Sequence, residues 1–207
     1  MDPKNAVAYQ NWGNILADQK KYDEAIAKYE KAIELDQRDA PVYNNWGTVL
    51  EERKKYDEAI AKFEKAIEFD PQYAGAYNNL GNVLDDLKKY DEAITEYGKA
   101  IVLDPQYAGA YNNWGNVLTS QKKYNKAIAK YEKATELDPQ YASAYNNWGS
   151  ALVGQRKYDE AIAKYKKAIE LDPKYSNAYY NWGTALTKKG KYAEAEQKFA
   201  KYRELTQ

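Results

Sequence analysis

The stretch "AYNNWGNVLTSQKKYNKAIAKYEKATELDPQY", Ala110 to Tyr141, holds two helical patterns split by a lysine pair and closed by Asp-Pro. In the first, Tyr111, Trp114, Gly115 and Leu118 fall on one stripe at 100° per residue. In the second, Tyr124, Ala127, Ile128, Tyr131, Ala134 and Thr135 do the same, so both segments read as helices rather than strands. Two adjacent asparagines and a glycine sit oddly in the first helix, where glycine alone costs about 1 kcal/mol against alanine.

The same unit returns along the chain. Its glycine stands at 13, 47, 81, 115, 149 and 183, a period of 34 throughout. With that glycine as position eight, the units are 6–39, 40–73, 74–107, 108–141, 142–175 and 176–207, and residues 1–5 read as the tail of a preceding unit. Units 74–107 and 108–141 agree at 23 of 34 positions without an insertion. The pattern predicts an all-α chain of six tandem helix-turn-helix hairpins. Lysines close each first helix, Asp-Glu opens the second in units one, two, three and five, and Asp-Pro ends it in units two to five. Glycine at one position in all six units implies close approach of the hairpin partner, expected at small residues such as Ala127 and Ala134.

Composition narrows the function classes. The 207 residues include neither cysteine nor histidine, which removes thiolate and imidazole chemistry, metal sites built on those groups, and disulfides. Acidic and basic residues balance at 31 each, so no electrostatic footprint for nucleic acid is expected. No run approaches the length of a membrane span and no leader follows Met1, which gives a cytoplasmic expectation. No Gly-rich phosphate loop exists, and the carboxylates recur as repeat positions rather than as a unique pair, so no enzyme activity and no cofactor are expected.

The unit resembles the tetratricopeptide repeat. Tyr77, Gly81, Ala93, Tyr97, Ala100 and Pro105 stand at positions four, eight, 20, 24, 27 and 32, where that family has an aromatic, Gly, Ala, an aromatic, Ala and Pro. The match covers essentially the whole chain; tryptophan at position seven, where leucine is usual, is its regular departure. The resemblance implies a right-handed α-solenoid whose first helices line a concave surface that binds an extended or helical peptide. In long arrays similar to that of the O-linked N-acetylglucosamine transferase, asparagines at position six hold the bound backbone.

Twenty of the 22 tyrosines occupy positions four, 17, 24 and 34, and all five tryptophans position seven, which reads as core. Tyr180 lies outside these registers and is a candidate surface contact. On a helical wheel, position six lies about 200° from position four and points away from the hairpin core. It is Asn11, Asn45, Asn79, Asn113, Asn147 and Asn181, so stacking predicts a ladder of amides suited to a peptide backbone. Position five (Asn44, Asn78, Asn112, Asn146) points to the flank, toward either the neighbouring hairpin or the groove edge. Asn14, Asn82 and Asn116 at position nine, with Asp18, Glu51, Glu52, Asp85 and Asp86 at 12 and 13, flank the expected groove and make its first half acidic, favouring basic residues in a partner.

The family's clamp for chaperone C-terminal carboxylates needs lysine at position five. Here that position is Gln10, Asn44, Asn78, Asn112, Asn146 or Tyr180, so the clamp is absent. In the last unit Glu196 and Arg203 replace the usual isoleucines, and Gly190 follows the first helix, as in a C-terminal cap. The first unit, with Val7 and Ala8, shows no such polarity and predicts self-association. The resulting expectation is a non-enzymatic scaffold for a protein or peptide. A structural or engineered array and the docking arm of a larger enzyme are the alternatives.

Overall fold

In the computed structural model, which describes residues 5–207, the chain forms two compact units that divide after Pro105. The first unit holds α1 (Ala6–Asp18), α2 (Tyr22–Leu35), α3 (Ala40–Glu52), α4 (Tyr56–Phe69), α5 (Ala74–Asp86) and α6 (Tyr90–Leu103). The second holds α7 (Ala108–Ser120), α8 (Tyr124–Leu137), α9 (Ala142–Gly154), α10 (Tyr158–Leu171), α11 (Ser176–Lys188) and α12 (Tyr192–Thr206). Consecutive helices pair as hairpins, three in each unit. Within a unit, the second helix of one hairpin packs on the first helix of the next, and successive first helices touch. Of the tail expected over residues 1–5, residues 1–4 lie outside the described part. Asn5 caps α1, its side-chain oxygen accepting the Ala8 N–H at 3.0 Å.

The ring at position 24 sets the separation of the two helices in each hairpin. Tyr29, Phe63, Tyr97, Tyr131 and Tyr165 are among the largest fully buried side chains. Each lies against the glycine of its own hairpin so closely that a Cβ on Gly115 would come within 2.6 Å of the Tyr131 ring. The close approach expected at Ala127 and Ala134 is therefore made by the aromatic ring, although both alanines are fully buried beside it. The glycine belongs in the helix because no side chain fits between Cα and ring.

The lysines after each first helix lie just beyond it rather than in its last turn. Lys20, Lys54, Lys88, Lys122 and Arg156 adopt positive φ near 60°, and Gly190 takes the same place in the last repeat. Each ends a Schellman motif: in the first repeat the Lys20 N–H reaches Ala17 O at 2.7 Å and the Lys21 N–H reaches Leu16 O at 2.9 Å. A left-handed lysine costs roughly 1 kcal/mol or more against glycine. Its cation sits beside the negative end of the helix dipole, which offsets part of that cost.

Position seven is less buried than a core position. Trp46, Trp114, Trp148 and Trp182 are half-buried and Trp12 is 40% exposed, while Leu80, the exception to tryptophan, is buried. A lysine at position 23 covers each indole: Lys28, Lys62, Lys130, Lys164 and Lys198 stand 3.9, 3.5, 3.5, 3.2 and 4.1 Å from the ring centroids. Burial pulls the Lys62, Lys130 and Lys164 ammonium pKa values down. In the third repeat, where leucine replaces tryptophan, Glu96 replaces the lysine.

The outer faces of the first and last hairpins differ. Glu196 and Arg203 form an exposed ion pair at 2.6 Å on α12, whose only buried residue is Ala195. On α1, Val7 and Ile15 are 57% and 55% exposed, although Val49, Val83, Ala151 and Ala185, the equivalents of Ile15, are buried. Substituting Gly115→Ala should destabilise the protein by about 1–3 kcal/mol through overpacking against Tyr131, read as a lower midpoint in urea. An unchanged midpoint would show that the ring does not set the hairpin spacing.

Candidate functional site

The paired asparagines bond to one another. Asn44, Asn78, Asn112 and Asn146 at position five are buried, only 5–7% exposed. In the first unit the Asn78 amide donates to Asn79 Oδ1 (3.2 Å), Asn79 to Asn44 Oδ1 (3.0 Å), Asn44 to Asn45 Oδ1 (3.5 Å) and Asn45 to Asn14 Oδ1 (3.0 Å). In the second, Asn181 donates to Asn146 (2.9 Å), Asn146 to Asn147 (3.2 Å), Asn147 to Asn112 (3.1 Å) and Asn112 to Asn113 (3.2 Å). Every bond runs from donor to acceptor in the same sense, alternating within a repeat and across to the one before. Such a chain of amides polarises cooperatively and satisfies groups that would otherwise be buried without partners.

This assigns position five to the neighbouring hairpin and modifies the geometry expected for position six. Asn45, Asn79, Asn113, Asn147 and Asn181 leave the hairpin core, but they lie half-buried and joined to other amides instead of standing free in a groove; Asn11 is exposed. A helical wheel describes one helix, whereas these side chains meet the next one. An amide carries two N–H donors and two acceptor lone pairs. The ladder takes one of each from Asn79 and Asn147, leaving a donor and an acceptor site on each outside it.

Position nine is set by the ring behind it. The buried Tyr29, Tyr97 and Tyr131 hydroxyls each donate at 2.9 Å to Asn14, Asn82 and Asn116. Thr48 and Thr184 stand at position nine where Phe63 and Phe199 occupy position 24, and neither ring has a hydroxyl to satisfy. Ser150 pairs with the Tyr165 hydroxyl at 3.4 Å. This matched variation was a signal available in the sequence. Burial pushes the Tyr29 and Tyr165 hydroxyls up to about 12.

Four of the expected acidic residues lie close together in the first unit. Burial, then Asp86 and Glu52, push the half-buried Glu51 carboxyl up to about 7; burial, then Asp86, raise Asp85. Glu52 raises the pKa of the nearby Tyr22 hydroxyl, and burial and then Asp86 raise that of Tyr56, so position 17 of one repeat lies beside position 13 of the next. Asp18 is exposed and shares a cleft between α1 and α3 with Asn14, Asn45 and Glu52. A second polar tie between repeats, unforeseen in the sequence, joins position 18 to position 14 of the next repeat: Asp23 to Arg53, Asn125 to Gln155 and Asp159 to Lys189. Tyr180, at position five of the last repeat, meets Phe199 and Tyr202 with centroids at 5.6 and 5.3 Å, and stays 49% exposed.

Paired helices, glycine under an aromatic ring and a polar row along the first helices define a helical-hairpin repeat protein. The family described as TPR repeat matches residues 13–53, 47–88, 84–118, 115–156 and 149–190, and the chain belongs to that family. No curated protein matches it in sequence. Among solved structures it is similar to YrrB, a TPR protein with an unusual peptide-binding site, at 28% identity over 86% of this chain and 91% of that one (TM-score 0.62). MamA is 29% identical over 84% and 94% of the two chains (TM-score 0.67). Pseudomonas aeruginosa PilF, at 21% identity over 97% and 91%, shares the fold (TM-score 0.83). No described helix is long and apolar enough to cross a membrane.

The raised Glu51 carboxyl has a definite sign. The native state holds that proton up to about pH 7, whereas the unfolded chain releases it near the ordinary value of 4.5, so stability falls as pH rises between the two. Urea titrations at about pH 5 and pH 8 should show this loss, and Glu51→Gln should remove part of it. Identical pH dependence in both proteins would refute the assignment.

Proposed function

We propose that the chain is a non-enzymatic scaffold that binds an extended peptide segment along the first-helix faces of its repeats, with a preference for basic residues in the first unit. The observation that carries this reading is the hydrogen-bonding capacity that the ladder leaves on Asn45, Asn79, Asn147 and Asn181 at position six. Asn45 and Asn79 sit on the adjacent first helices α3 and α5, and Asn147 and Asn181 on α9 and α11, and each can give an N–H to a peptide carbonyl and take one from a peptide amide. Recognition of this kind depends on backbone rather than side chain and tolerates many partner sequences. The similarity to YrrB, which has a peptide-binding site, supports the reading, as do the exposed acidic side chains of Asp18, Glu52 and Asp86.

The ladder does two things at once: position five is buried and holds repeats together, and position six is shared between that task and a ligand. A bound segment therefore adds to an existing network without requiring it to be taken apart. A peptide array of extended basic, neutral and acidic sequences should retain the basic ones best at low salt, because exposed charge pairs add roughly 0.2–1 kcal/mol each. Asn79→Ala and Asn147→Ala, compared below their melting temperatures, should weaken every hit. Retention of no peptide class, or hits indifferent to both substitutions, would remove this reading.

The exposed Val7, Trp12 and Ile15 on α1 favour a second reading, self-association through that face. The outer face of α12 carries the exposed Glu196–Arg203 pair, and the contact proposed joins two α1 faces. Light scattering that finds only monomer across a wide concentration range would exclude it.

A further inference from the structure

The cleft between α1 and α3 has a volume of about 520 Å³ and is lined by Asn14, Ala17, Asp18, Asn45, Val49 and Glu52, with Lys20 as its one cation and the buried Tyr29 behind. Asn14 differs here from the position-six amides. Its oxygen accepts twice, from the Tyr29 hydroxyl at 2.9 Å and from Asn45 Nδ2 at 3.0 Å. Both lone pairs are thereby used, and what Asn14 offers the cleft is its N–H donors. Asp18 and Glu52 offer carboxylate oxygens, which only accept. Ala17 and Val49 supply apolar surface between them.

We propose that this cleft is a subsite for one arginine or lysine of an extended peptide, its carbonyl oxygen taking an N–H of Asn14 and its side chain running along Ala17 and Val49 to Asp18 and Glu52. A fixed donor beside two anionic acceptors complements a residue with an acceptor on its main chain and a cation on a methylene stem. The combination occurs at this junction and not at its counterparts within the units. At the junction of α3 and α5, Thr48 stands in the place of Asn14. At that of α7 and α9, Ser120 and Gly154 stand in the places of Asp18 and Glu52, and at that of α9 and α11, Gly154 and Lys188 do. The subsite thus sets the register of a peptide that the amide row would otherwise bind without regard to sequence. It rests on the peptide-binding reading given above.

The test is fluorescence anisotropy with a labelled Gly-Ser-Arg-Ser-Gly peptide and its citrulline twin, which keeps the shape and loses the charge. The arginine peptide should bind roughly two- to thirty-fold more tightly, the yield of two partly exposed charge pairs, with the advantage shrinking as salt is raised. Asp18→Asn combined with Glu52→Gln should abolish the advantage, so that this variant binds the two peptides equally. Asn14→Thr with Tyr29→Phe copies the Thr48 and Phe63 pair of the second repeat, so it leaves no orphaned hydroxyl, and it should weaken both peptides alike. Equal affinity of the wild-type protein for the two peptides overturns the subsite alone, as does an arginine preference that survives in the carboxamide variant. Binding of neither peptide overturns the subsite and the peptide-binding reading together.

Discussion

A buried amide must find partners, and that requirement organises each unit. Hydrophobic contact between hairpins is non-directional and would permit neighbouring first helices to slide or rotate by small amounts. An amide-to-amide bond of about 3 Å does not permit it. The buried asparagine at position five accepts from the following repeat and donates within its own, so the ladder closes only at one stagger of adjacent first helices. The glycine and ring contact does the same within a hairpin. Together they fix the two distances that repeat along each unit, one by steric contact and one by hydrogen bonding.

The asparagines therefore need no ligand to account for their recurrence, which separates two questions that the sequence runs together. The ladder is a structural element, and a binding surface is built from what it leaves over. Departures from the repeated pattern then carry the specificity. Asn14 against Thr48, Asp18 and Glu52 against Gly154 and Lys188, and Tyr180 against asparagine each change the chemistry at one place while the ladder stays regular. Tyr180 illustrates the logic at the last hairpin: position five there holds a ring packed at a tilt against Phe199 and Tyr202, which asks for no amide partner.

The hairpins and their boundaries were legible because they depend on features internal to one unit: a 34-residue period, helical spacing of apolar residues, and proline after the second helix. What escaped the sequence lies between units or between helices. The partner of the glycine was expected among small residues, yet the ring at position 24 reaches it across the hairpin. The direction of position five was open on a helical wheel, which does not contain the neighbour that decides it. Five cationic residues in the left-handed region gave no signal, since that conformation is ordinarily marked by glycine, as at Gly190. The Asn and Tyr pairing at positions nine and 24, and the Trp and Lys pairing at seven and 23, were readable as matched variation between repeats.

The central claim is that the asparagines hold repeats together by bonding across them. A double-mutant cycle on Asn146→Ala and Asn181→Ala tests it most directly, because Asn181 ends the ladder and Asn146 Oδ1 is its partner at 2.9 Å. Unfolding free energies of the wild type, the two single variants and the double variant should give a coupling of about 0.5–1.5 kcal/mol. Additivity within about 0.3 kcal/mol would contradict the account, since residues that do not interact lose stability independently.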